Sequence, residues 1–140
     1  MKSLMERAFF LKKVSLFSDL DLEFLLAIAE KLHEEEYDAG EKIFHFGQVA
    51  NRIYFIARGS VRILTPSWHS IQELASGDYF GDESLFNDEP RSYQAQSTGD
   101  SLLYTLSRSH LLAIISECPS VAVLLLQTYA RLFPCRYLSK

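Results

Sequence analysis

Between Ser76 and Ala95 the chain reads SGDYFGDESLFNDEPRSYQA, and this stretch gathers residue types suited to holding a small phosphate. Gly81 lets backbone come close to a ligand and tolerates a positive φ. A helical turn over residues 83–86 would aim its unpaired N–H groups and the positive end of its dipole at the same spot. Arg91, between Pro90 and Ser92, offers a planar fork of donors to phosphate oxygens. Asp82 offers an acceptor to a sugar hydroxyl. Each residue also has a plainer role. Arg91 can pair within its own acidic loop, with Asp82, Asp88 or Glu89; Gly77 and Gly81 can be turn glycines. Asp82 can cap the short helix, and Ser92 can be an ordinary strand residue.

The elements that must hold this stretch follow from periodicity. Apolar residues Leu4, Ala8, Leu11 and Val14 predict a short helix. Ser18 reads as an N-cap before Asp19 and Asp21, with Leu22, Leu25, Leu26, Ala29 and Leu32 on one face, so a second helix is expected over residues 19–32. The period then shortens. Strands are expected at 33–38, 42–46, 52–57, 60–65 and 68–75, and a last pair at 92–98 and 101–106 around Gly99-Asp100. Arg58-Gly59 reads as a hairpin turn. After Leu106 the helical period returns. Ser107 is a candidate N-cap, Leu111, Leu112, Ile114 and Ile115 fill a helix ending near Cys118, and Pro119 suits the first turn of another. Val121 to Phe133 is strongly apolar, and Pro134 should end or kink that helix. The reading is one domain over 1–140: helices within 4–32, a double-layered β-roll of about eight strands over 33–106, and C-terminal helices over 107–133.

Composition narrows the function. The chain has 140 residues, 48% hydrophobic and 23% charged, enough for a core of its own. Its formal net charge of −4 argues against gripping nucleic acid, which needs a basic face. Two cysteines, Cys118 and Cys135, match no metal spacing and read as reduced thiols of a cytoplasmic protein rather than a disulfide. No apolar run approaches the ~18 residues of a membrane span. Lys12-Lys13 cuts off the apolar patch before it, so the start does not read as a signal peptide.

The pieces, in order, resemble the cyclic-nucleotide-binding domain family, the sensor domains of the catabolite activator protein, protein kinase A regulatory subunits and cyclic-nucleotide-gated channels. The residues that carry the resemblance are Leu16-Phe17-Ser18 with Leu20, then Ala39-Gly40-Glu41-Lys42-Ile43-Phe44 with Gly47. Ile53 to Arg62 follows (IYFIARGSVR), then Leu74, Gly77-Asp78-Tyr79-Phe80-Gly81 and Pro90-Arg91-Ser92. The resemblance spans Leu16 to about Phe133. It implies a mainly β, jelly-roll-like fold with flanking helices, and makes residues 76–95 a phosphate-binding cassette. Gly81 then lies against the ribose-phosphate, Arg91 pairs with the cyclic phosphate, and Ser92 offers an N–H or hydroxyl. The N–H groups around Gly81, Asp82, Glu83 and Ser84 complete the phosphate cradle. Asp82 stands where ligand-binding members usually carry Glu, so its carboxylate reaches ~1.5 Å less far toward the ribose. Val61, Ile63, Leu74 and Phe80 are candidates to line a purine pocket, and plain core residues otherwise.

The function implied is a regulatory sensor without catalytic activity or cofactor, binding cAMP ahead of cGMP. It would signal by shifting C-terminal helices that serve the family as lid and dimer seam, to a homodimer partner or an effector. The alternative is a degenerate member that binds no nucleotide and works as a protein-interaction or dimerisation module; Asp82, the acidic neighbours and the apolar C-terminal helix point that way. A cupin enzyme, which would need a His-x-His pair, is disfavoured. His45 and His69 stand alone in their strands, and His33 and His110 lie elsewhere.

Overall fold

The computed structural model describes residues 3–87 and 89–132, apart from the side chains of Ser84 and Leu85. Helix α1 (Leu4–Lys13) opens with a capping box, in which Ser3 and Glu6 each accept the other's backbone N–H, at 3.2 and 3.4 Å. The next element differs from the sequence reading. A 3₁₀ turn, Ser15–Phe17, comes first, and α2 covers only Leu22–Lys31 after Asp21. Leu16, Phe17 and Leu20 are all buried, which demands a tight turn there. The Ser18 hydroxyl bonds back to the Ser15 carbonyl at 3.1 Å, so it caps no helix.

Among the described residues, eight strands form two antiparallel sheets. They are β1 (His33–Tyr37), β2 (Lys42–Phe44), β3 (Arg52–Arg58), β4 (Ser60–Leu64), β5 (Ser70–Ala75), β6 (Tyr79–Phe80), β7 (Gln94–Ser97) and β8 (Ser101–Ser107). The orders are β1-β8-β3-β6 and β2-β7-β4-β5, so the fold is the expected mainly β, jelly-roll-like roll with helices at both ends. Two expected hairpins are absent. β3 and β4 lie in different sheets, as do β7 and β8, and the chain changes layer at Gly59 and at Gly99-Asp100. The reason is burial. Residues 53–56 are covered on both faces, so β3 belongs at the centre of its sheet beside β8, with Phe55 opposite Tyr104. The two layer changes interlock. A Cβ on Gly59, at φ +99°, would sit 2.6 Å from the Asp100 carbonyl, and the Ser60 N–H donates to Ser101 Oγ at 3.2 Å.

Alternation along β3 divides the interior in two. Ile53 and Phe55 face the helices, packing with Leu11, Phe17, Ile28, Leu111 and Leu125. Tyr54 and Ile56 face the inside of the roll with Phe44, Val61, Phe80, Ala95 and Leu103. After β8, Ser107 caps α4 (Arg108–Glu117) by accepting the His110 N–H at 3.1 Å. Cys118 ends α4, and Pro119 begins α5 (Pro119–Leu132), as the sequence predicts. Val121, Leu125 and Thr128 turn into the core, and Arg131 pairs with Asp19. Phe133, Pro134 and Cys135 lie outside the described residues. Among those described, no single helix is long and apolar enough to cross a membrane.

Candidate functional site

The cassette lies between the end of the roll and α5. Its scaffold is a short helix, α3 (Glu83–Phe86), entered from β6 through Gly81 and Asp82. Gly81 takes φ +80°, and a Cβ there would meet Arg91 Nη1 at 2.7 Å. Only Gly allows that approach.

Arg91 is 96% removed from solvent at the centre of the site, its relative exposure being 4%. Nη1 donates to the Gly81 carbonyl at 2.9 Å and Nη2 to the Arg52 carbonyl at 2.7 Å. Its guanidinium carbon lies 4.3 Å from the centre of the Phe44 ring and 5.7 Å from that of Tyr54. Burial pushes its pKa below the ordinary value, but a guanidinium stays charged at neutral pH. The wall beneath it is aromatic, with Tyr54 and Phe80 stacked at 4.9 Å and Phe44 against both. Arg52 is held in turn by Glu35 at 2.7 Å, and the Tyr37 hydroxyl donates to the same carboxylate at 2.6 Å. The guanidinium is thus fixed by backbone carbonyls of two separate elements, β3 and the cassette, which presets its direction.

Arg91, Ser92 and Glu83 line one open cavity of about 400 Å³, together with Phe46, Gly47, Asn87, Glu89 and Pro90. Arg91 also lines a second, of about 670 Å³, with Gln48, Asn51, Arg52 and Tyr54. Val61 and Phe80 are fully inside the roll, and Ile63 and Leu74 pack partly buried against the same cluster. The backbone of Ser84 lies in α3, and its side chain is outside the described residues. Asp82 stands at the entry to α3 but makes no side-chain cap. It accepts instead from the Tyr129 hydroxyl of α5 at 2.7 Å. Asp88 is outside the described residues.

Two tyrosines that motif reading overlooks organise the cassette. Tyr93 Oη accepts the Gly81 N–H and donates to Glu83 Oε1, both at 2.8 Å. Burial first, and then the Glu83 charge, push the Tyr93 hydroxyl above its usual range. Burial and the neighbouring Asp82 raise the Glu83 carboxyl. Alternation from Arg91 could have placed Tyr93 on the same side of the chain two residues on. Nothing local marks Tyr129. Among the described residues, no three His, Cys, Asp or Glu side chains gather as a metal site would require.

Comparison with known proteins bears on the family and the fold. Residues 34–118 match the model of the cyclic nucleotide-binding domain. A cAMP-dependent protein kinase regulatory subunit from Debaryomyces hansenii is 31% identical over 115 residues, 82% of this chain and 25% of that protein. The chain spans about a quarter of the length of the curated relatives it matches first. The crystal structure of the Thermus thermophilus catabolite activator protein is 31% identical with a TM-score of 0.74, over 86% of this chain and 58% of that one. The co-crystal structure of the regulatory domain of Toxoplasma gondii PKA with cAMP is 25% identical with a TM-score of 0.76, over 89% and 49%.

Proposed function

The chain belongs to the cyclic nucleotide-binding domain family, and on that premise we propose that it is a non-catalytic sensor of a 3′,5′-cyclic nucleotide, with cAMP preferred to cGMP. The observation that carries the reading is Arg91, buried, charged and anchored by the carbonyls of Gly81 and Arg52 at the mouth of an open cavity. A guanidinium so placed has its direction set before an anion arrives, which lowers the ordering cost of meeting a cyclic phosphate. Ser92 shares the cavity and supplies a further donor. Asp82 serves the ribose. The preference for cAMP rests on relatives named as cAMP-dependent regulatory subunits.

Binding would shift α5, which touches the cassette through Tyr129 and Asp82. The readout would pass to a second copy or an effector through the C-terminal helices, a population shift between two packings. No separate cofactor enters the scheme. A reducing, cytoplasmic setting suits the free thiol of Cys118. The module that binds no nucleotide is not favoured, because the family match runs through the whole cassette, Arg91 included.

Calorimetric titration with cAMP and with cGMP tests this. Saturation at one site is expected, with cAMP the tighter ligand. Arg91→Lys keeps the charge and loses the fork, and should weaken binding about tenfold or more, the loss of one charged hydrogen bond. No heat from either nucleotide at millimolar concentration, from a chain shown to be folded, would sink the reading.

A further inference from the structure

The bond between Tyr129 and Asp82 joins the ribose acceptor to a helix 47 positions further along the chain. It is 2.7 Å long and charge-assisted, the stronger kind. The contact is built rather than incidental. The Tyr129 ring meets Phe86 of α3 edge-on, with centres 5.6 Å apart and planes at 85°. Asp82, Glu83, Phe86, Asn87, Leu126 and Tyr129 surround a cleft of about 420 Å³ between cassette and helix. Val121 and Leu125, two turns and one turn earlier on the same side of α5, pack into the helix-side core that Tyr129 borders. Burial and the Asp82 charge raise the Tyr129 phenol, so it remains an O–H donor at neutral pH.

We propose that Tyr129 is a specificity-determining residue, which competes with the 2′-hydroxyl of a cyclic nucleotide for the Asp82 carboxylate, so that only ligands bearing that hydroxyl release α5. The proposal rests on the cyclic-nucleotide reading and adds the 2′-hydroxyl as the trigger. Its physical basis is the short side chain. A Glu at this position could bend to serve phenol and sugar together. Asp82 holds Tyr129 through Oδ2 and lines the cleft against α5, not the two cavities that Arg91 lines, so on its single-carbon pivot the carboxylate must turn away from Tyr129 to meet a ribose beside Arg91. The ligand exchanges one O–H donor for another, so the 2′-hydroxyl adds little net affinity even as it releases α5.

The test uses cAMP and 2′-deoxy-cAMP on the 140-residue chain and on Tyr129→Phe, which keeps the ring against Phe86. The unaltered chain should bind the two ligands about equally. Tyr129→Phe should bind cAMP about tenfold more tightly and 2′-deoxy-cAMP unchanged, because the hydroxyl no longer displaces a partner. Hydrogen exchange supplies a readout on the unaltered chain that needs no variant. cAMP should speed exchange of the α5 amides, and 2′-deoxy-cAMP should leave them as in the free protein. Equal factors for both ligands in Tyr129→Phe, or no change for either, would overturn the competition and leave the sensor standing. The same holds if both ligands alter α5 exchange alike. Binding of neither ligand by the folded, unaltered chain would overturn the sensor reading and the competition with it.

Discussion

Gly81 and Arg91 occupy each other's space. A methyl on Gly81 would press to 2.7 Å of Arg91 Nη1 and 3.3 Å of the Tyr54 ring, on a backbone at φ +80°. The left-handed region alone costs a non-glycine residue roughly 1–2 kcal/mol. Gly81→Ala is therefore expected to lower stability by about that amount and to push the guanidinium off the Arg52 carbonyl. Thermal unfolding should register the first effect, and a tenfold or greater loss of nucleotide affinity the second. Both residues were legible through the whole string from Ser76 to Ala95 and its setting, since a lone Gly and a lone Arg prove little by themselves. Their partners were not. Arg91 takes the carbonyl of Arg52, 39 positions away, and a backbone acceptor leaves no trace in side-chain identity. Asp82 was legible as a hydrogen-bond acceptor of the cassette, and its engagement by Tyr129 was not.

Among the elements, α5 shows how far a pattern carries. Pro119 after Cys118 marks its start, and its apolar run marks burial, yet Leu125 and Leu126 look alike in sequence. Leu125 is 2% exposed and Leu126 69%. Leu125→Ala should cost about 2–5 kcal/mol in urea denaturation, and Leu126→Ala should stay within about 0.5 kcal/mol, as for a surface site. Caps were read well where the side chain faces the first turn, as at Ser107. The reading failed at Ser18, whose hydroxyl is spent on the Ser15 carbonyl of a tighter turn. It failed again at Gly59 and Gly99. A glycine turn between two short strands has the same local signature whether the chain returns beside itself or crosses to the facing sheet. Burial on both faces of β3 decides between these, and burial is a property of the assembled sheets.

Across the whole molecule, β3 ties the helix-side core to the core of the roll, since Ile53 and Phe55 face one and Tyr54 and Ile56 the other. Neither core can open without exposing that strand. The single Trp, Trp68, sits in the β4–β5 turn with Lys42 Nζ 4.5 Å from its ring centre, far from the helices in sequence. Its fluorescence and the far-ultraviolet dichroism of the helices should trace one coincident unfolding transition in urea; separated midpoints would show two units. Alternation, turn residues and caps by themselves determined the class of fold, the order of helix, roll and helix, and the stretch that holds Gly81 and Arg91. Those are local properties, set by backbone sterics and by which face of each element is apolar. Tertiary structure decided which strands pair, which carbonyls anchor Arg91, and that α5 returns to grip Asp82. Those depend on segments remote in sequence brought together by burial, for which a single chain carries no local signature.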